Sequence, residues 1–259
     1  MPGPDSITSV YLARRHPSMA RDAFPRRWRR HGELAMSLGL WQHAERYVHC
    51  DVEEHPPAAD DPYLPGAWTG VPDGIGLVTM PSVAAMRRLT TAPDFPILLA
   101  DERSAFAEPI PNGAVLTRQV PHLDRPGTAA KVFVFLTPRH GTSQAAFEER
   151  WNAHAAVVMG DAALRAPLLR YVHDLVLPVG PGEVVEATER SRPQGALADV
   201  AGVAELGFAS PAARAAYLSH PGRATAVRDL AEFADLDRLI LIATNEVVLD
   251  DDRSTKGSQ

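Results

Sequence analysis

The sequence predicts an α+β protein made of two copies of one βαββαβ unit, and three observations carry that prediction. First, Phe24-x-x-x-Trp28-x-x-His31 recurs as Phe147-x-x-x-Trp151-x-x-His154, and Arg46-Tyr47-Val48-His49 recurs as Arg170-Tyr171-Val172-His173 at almost the same offset. Second, further matches follow in the same order. Gly74 with the segment 80–85 aligns with Gly202 and 208–213, Ala100-Asp101-Glu102 aligns loosely with Ala234-Asp235-Leu236, and Thr117-Arg118-Gln119-Val120 aligns with Thr244-Asn245-Glu246-Val247. Third, apolar and β-branched runs alternate with helical patterns in the same order in both halves. A repeated supersecondary unit is the simplest source of such agreement.

In the first copy, residues 7–13 are apolar and β-branched enough for a strand. Ser18 is a plausible N-cap for the helix carrying Phe24, Trp28, His31 and Ala35. Pro25 must then sit in its first turn or kink it, because proline lacks the amide that an interior position donates. Residues 44–52 and 75–80 are the next strands, Pro81 opens a helix to about residue 90, and 114–120 closes the unit. The second copy repeats the order over 131–136, 143–159, 168–177, 200–208, 211–220 and 238–249. A loop rich in Pro and Gly, 121–128, joins the copies. This is the split-βαβ, or ferredoxin-like, order. It divides the chain into units at 1–125 and 126–250, with a frayed polar tail at 251–259.

Val132-Phe133-Val134-Phe135-Leu136 is apolar on both faces. One face can meet the helices of its own unit, and the other needs a second apolar partner. Two such antiparallel sheets in one chain can cover each other in a barrel-like core. The alternative is pairing with a second chain, a homodimer of the fused chain.

The bulk composition excludes several classes. Hydrophobic residues make up 45% and charged residues 22% of 259, an ordinary globular balance. A net charge of -6 without a basic stripe argues against nucleic-acid binding. Arg26, Arg27, Arg29 and Arg30 read as a solvated helix face. The single cysteine, Cys50, permits no internal disulfide and on a strand packs as a small hydrophobe. No stretch has the roughly 18 apolar residues of a membrane helix, and no apolar leader is present, so the expected setting is cytoplasmic. Dinucleotide-binding, phosphate-loop, nucleophile-elbow and zinc-protease motifs are absent, and the ten histidines show no tight metal-ligand spacing.

The helix pattern Phe-x-x-x-Trp-x-x-His after a first strand, followed by a glycine-initiated strand and a Pro/Ser helix start, resembles the EthD-domain family of dimeric α+β barrel proteins. The resemblance covers nearly the whole chain twice. It implies sheets paired as in a dimeric α+β barrel. It also implies a range of chemistries, from ether-degradation operon proteins and muconolactone isomerases to dehydratases and polyketide cyclases, with some relatives binding heme; fold alone does not choose among them. Pro25 in the first copy and Leu236 in the second depart from the repeat, so the halves are expected to be unequal.

His31 and His154 share a helix face with Phe24 and Trp28, and with Phe147 and Trp151, which should point at the sheet. A histidine in apolar surroundings has a depressed pKa and can serve as a general base; alternatively it is a structural histidine tied to backbone. Tyr47 and His49 project to one strand face, as do Tyr171 and His173, and a phenol beside an imidazole can polarise a carbonyl and move a proton. Arg46 and Arg170 face the other way. His43, just before a strand, reads as a loop residue, and His16, His55, His122, His140 and His220 lie in turn-like contexts and are assigned no role. The expected activity is cofactor-independent acid–base chemistry (isomerisation, dehydration or cyclisation) on a small hydrophobic carbonyl compound. The candidate catalytic residues are His31, His154, Tyr47, His49, Tyr171 and His173, and the pocket residues are Trp28, Trp151, Phe24 and Phe147. The alternatives are a heme-binding barrel protein and a non-catalytic small-ligand-binding accessory protein.

Overall fold

Strands with apolar side chains on both faces need cover on both sides, and the chain supplies it by closing its sheet. A computed structural model describes residues 3, 5–53, 63–64, 72–178 and 197–251. The first half runs β1 (Ile7–Ala13), α1 (Phe24–Ser37), β2 (Arg46–Val52), β3 (Gly74–Met80), α2 (Val83–Thr90), α3 (Phe95–Ala105) and β4 (Ala114–Asp124). The second half runs β5 (Ala130–Leu136), α4 (Gln144–Gly160), α5 (Ala162–Arg165), β6 (Leu168–Val176), β7 (Gly202–Phe208), α6 (Pro211–Leu218), α7 (Arg223–Leu230) and β8 (Ile240–Asp251). All eight strands form one antiparallel closed barrel in the order β1-β3-β2-β8-β5-β7-β6-β4. The sheet faces therefore cover each other within one chain.

Side chains alternate along each strand and so divide three cores. Tyr11, Tyr47 and Met80 face α1–α3 in one helix-side cluster, and Val132, Val134 and Tyr171 face α4–α7 in the other. Val10, Val48, Ile75, Phe133, Phe135 and Ile242, drawn from both halves, fill the lumen. The lumen is not apolar throughout, as the sequence led one to expect. Lys131 is fully buried and ion-paired to Glu205 and Glu246, while Arg170 reaches Glu205 at 2.9 Å and Asp124 at 2.5 Å. Such charges are tolerable inside only because each has a partner.

Two long strands close the barrel. β4 and β8 each pair within their own half and then continue onto β6 and β2 of the other half. The segment 121–124 is therefore strand, where the Pro/Gly composition of 121–128 suggests a loop, because a partner edge on β6 takes up its backbone groups. Each crossing carries a bulge. The register skips His122 between Pro121↔Val172 and Leu123↔Tyr171, and skips Leu249 between Tyr47↔Asp250 and Val48↔Val248.

Most other elements follow their local signals. Ser82, Ser143 and Ser210 cap α2, α4 and α6 through side-chain oxygens. Ser18 does not cap α1. Pro25 sits in the first turn, the helix begins at Phe24 after a short 3-10 turn, and the Ser18 hydroxyl bonds His16 instead. Three helices, α3, α5 and α7, lie where the sequence reading places none, and α3 and α7 matter for the site. His55 and nearly all of the tail, 252–259, lie outside the described residues.

Candidate functional site

The Phe-x-x-x-Trp-x-x-His face does point at the sheet in both halves, and a glycine explains how closely. Trp28 covers Gly74 and Trp151 covers Gly202; a Cβ at either glycine would lie 2.2 Å and 2.1 Å from the indole Cζ3. Each indole then stacks on a strand histidine, Trp28 on His49 at 3.8 Å and Trp151 on His173 at 4.0 Å between ring centroids. One turn further along the helix, His31 Nδ1 lies 2.8 Å from Asp101 Oδ2 on α3, and His154 Nδ1 lies 2.7 Å from Asp229 Oδ2 on α7. The carboxylates accept, so Nδ1 carries the proton and each neutral ring keeps Nε2 as its basic nitrogen. Burial holds both histidines below the usual imidazole range against the opposing pull of the aspartates. Burial would raise Asp101, but hydrogen bonds from His31 and Arg27 keep it below the ordinary carboxylate value.

These contacts correct one alignment. The counterpart of Asp101 is Asp229, six residues before Asp235, and the counterpart of Glu102 is therefore Leu230. Asp235 instead caps a 3-10 turn through Asp237 N–H. The inequality between the halves lies at Glu102/Leu230 rather than at Leu236.

In the first half an apolar cavity of about 110 Å³ lies between helices and sheet, lined in part by Tyr11, His31, Trp41, Tyr47, Met86 and Glu102. Tyr11 and Tyr47 share a hydroxyl–hydroxyl hydrogen bond of 3.0 Å, and Trp28 Nε1 donates to Tyr11 Oη at 3.3 Å. Tyr11 fits only because Gly76 lies opposite, where a Cβ would come within 2.0 Å of the phenol ring. Burial pushes the Glu102 carboxyl up to about 7, against a backbone hydrogen bond from Ile110. His49 is not at the cavity wall. Arg29 Nη1 donates to its Nδ1 at 2.6 Å, so its proton sits on Nε2, which is buried with no hydrogen-bond partner among the described residues. Burial, then Arg29, holds His49 well below its ordinary pKa.

The second half has a smaller cavity of about 60 Å³, lined in part by Trp151, His154, Tyr171, Tyr217 and Arg223. Val134 and Ala204 stand where the first half has Tyr11 and Gly76. Its histidine is wired differently. His173 Nε2 bonds Tyr171 Oη at 2.8 Å, and His173 Nδ1 bonds His122 Nε2 at 3.1 Å.

The comparisons with known proteins bear on the fold. The EthD domain family model matches residues 139–237, within the second half. No curated protein matches the sequence. Among solved structures, this chain is similar to an anthrone oxidase-like protein at 9% identity and TM-score 0.57, covering 96% of this chain and 95% of that one. A candidate monooxygenase from Fusobacterium nucleatum is similar at 8% identity and TM-score 0.56, covering 95% and 93% of the two chains. A candidate monooxygenase from Lactobacillus acidophilus is similar at 6% identity and TM-score 0.54, covering 96% and 97%. At these identities the likeness concerns the fold.

The six residues singled out for chemistry thus fall into two groups. His31, Tyr47, His154 and Tyr171 reach the cavities, whereas His49 and His173 lie beneath the indoles. Of the pocket aromatics, Trp151 lines a cavity, while Trp28, Phe24 and Phe147 pack in the helix–sheet cores. Tyr11, Asp101, Glu102, Asp229 and His122 are the members that sequence reasoning missed. Arg27 and Arg29 are not merely solvated, since they bond Asp101 and the His49–Asp51 pair. Cys50 is buried in the lumen, its thiol pushed up to about 12 by burial. Among the described residues, no group of three or more His, Cys, Asp or Glu is placed to hold a metal ion, and no helix is long and apolar enough to cross a membrane.

Proposed function

We propose that the first-half cavity binds a small apolar carbonyl compound and that His31 moves a proton next to its carbonyl carbon, without a cofactor. The observation that supports this reading most directly is the His31–Asp101 pair, 2.8 Å apart, at the wall of an apolar cavity that also contains the Tyr11–Tyr47 hydroxyl pair. Asp101 fixes the tautomer and leaves Nε2 of His31 as base. A tyrosine hydroxyl is the donor for the enolate oxygen that forms when the proton leaves. Returning the proton elsewhere on the substrate is isomerisation, and expelling a leaving group is dehydration. Oxidation of an anthrone-type ketone, named for one structural relative, begins with the same proton removal. The inequality of Tyr11 with Val134 and of Glu102 with Leu230 makes the first half the better equipped one.

The size of the cavities favours a small ligand over heme. Pockets for drug-sized ligands run to about 300–1,000 Å³, above the 110 and 60 Å³ of the two cavities that hold the His–Asp pairs. The repeat and the strand order support an origin as two ferredoxin-like units, spanning about 1–125 and 126–250.

Proton exchange tests the reading without knowledge of the natural substrate. Cyclohexanone in deuterium oxide, followed by proton NMR, should lose its α-proton signals faster with the protein than in buffer, and His31→Ala should remove the gain. Exchange at the buffer rate, or an unchanged rate in His31→Ala, would overturn it.

A further inference from the structure

The second half contains a hydrogen-bonded chain without a counterpart among the described residues of the first half. His122 is partly exposed on the β4 bulge, and its Nε2 lies 3.1 Å from His173 Nδ1. His173 is buried, and its Nε2 lies 2.8 Å from Tyr171 Oη. Tyr171 lines the second cavity, opposite the His154–Asp229 pair. Surface, two imidazoles, phenol and cavity are thus joined by two hydrogen bonds.

The geometry points to a second proton-transfer site, in which His122 and His173 relay protons between solvent and Tyr171 at the cavity wall. Imidazole suits this task because it can accept a proton at one nitrogen while releasing one from the other. In the inward direction, His122 Nδ1 takes a proton from water and its Nε2–H passes to His173 Nδ1. His173 Nε2–H passes to Tyr171 Oη, and the phenol's own proton passes to a basic atom in the cavity. No net charge stays on the relay, and both hydrogen bonds end with their direction reversed. The next proton must therefore travel outward before the chain can work inward again. That alternation suits a small, largely apolar ligand that gives up one proton and takes back another.

A bulge is a device for re-aiming a side chain, and the contrast with the other crossing shows what was aimed. At the equivalent bulge on β8 the skipped residue is Leu249, which packs in the first-half core. His49, the counterpart of His173, is tied at Nδ1 to Arg29, a donor with no acceptor capacity, and its Nε2 has no hydrogen-bond partner among the described residues. Tyr47 bonds Tyr11 instead of His49. Among the described residues, no such chain exists there.

The exchange of the His173 ring N–H with water, measured by NMR on protein carrying nitrogen-15 histidine, tests the relay without any substrate and without reference to the His31 site. In the wild type this proton should exchange readily although the ring is buried. His122→Phe, which fills the space, and His122→Gln, which keeps a hydrogen bond but has no two-ended ring, should each slow it at least tenfold. The sign discriminates between roles. If His122 only packs, its loss loosens the surroundings and exchange quickens or stays the same, which would overturn the relay. Tyr171→Phe removes the acceptor at Nε2, so the ring proton sits on Nδ1 against His122 and should still exchange fast through the solvent end; a slowing there equal to that of His122→Phe would also overturn it. His31→Ala should leave all of these rates unchanged, so the two sites fail or succeed separately.

Discussion

The two halves share one frame and differ in what is hung on it. Both press a tryptophan onto a glycine, stack it on a strand histidine, and hold a helix histidine through an aspartate. The first half then spends its space on Tyr11, Gly76 and Glu102, and the second puts Val134, Ala204 and Leu230 in the same places. The shared contacts fix helix to sheet and place a His–Asp pair at each cavity, and the differing ones change the polar groups around that pair. The packing geometry occurs twice, while the polar groups beside it differ.

The largest effect that can test this contrast is on proton exchange. General acid–base groups contribute roughly 100- to 10,000-fold, so His31→Ala should lower ketone exchange by about 100-fold or more. His154→Ala should leave most of it, and equal losses would erase the proposed inequality. The glycines test the frame. Forcing a Cβ into a filled core costs about 1–3 kcal/mol, and Gly74→Ala and Gly202→Ala should lower stability by similar amounts in urea unfolding because their clashes match. Gly76→Ala should cost about as much by displacing Tyr11. Adding Tyr11→Val should recover part of that loss, since the double variant reproduces the Val134–Ala204 pair; strictly additive losses would show that the pairs are not interchangeable.

Glu102 gives a smaller, pH-dependent difference. Its folded pKa, about 7, lies above the unfolded value of 4.5 because burial favours the neutral acid. The raised value means that its contribution is present below pH 4.5 and lost as pH rises through 7. Glu102→Leu, the residue type at the matching second-half position, should therefore raise stability at pH 8 by about 1–3 kcal/mol relative to its effect at pH 4.5. A pH-independent effect would argue that the carboxyl is not neutral when folded.

Much of the frame was legible in the chain itself. The repeat of Phe24, Trp28 and His31 fixed the helix face, and the period-two placement of Tyr47 and His49 put both on the helix side of the sheet. The aligned Thr117–Val120 and Thr244–Val247 segments occupy equivalent registers, opposite Val176 and Val52. The partners were harder to read because they come from far along the chain. Asp101 and Asp229 sit 70 and 75 residues from their histidines, on short helices whose patterns are weak. Tyr11 looked like one more strand residue, and only the facing Gly76 marks it. His122 followed a proline in a segment with turn composition, and nothing local signals that a foreign strand would pair there. Carrying the Thr117–Val120 match two residues further would have set His122 against Leu249 and exposed the asymmetry.

The two bulges have a further consequence for how such a protein can change. In a barrel assembled from two identical chains, one codon would govern both crossings, and a histidine placed at one would appear at the other. Here His122 and Leu249 are encoded separately. A mutation can therefore rewire one side of the barrel while its twin keeps the older arrangement as a reserve.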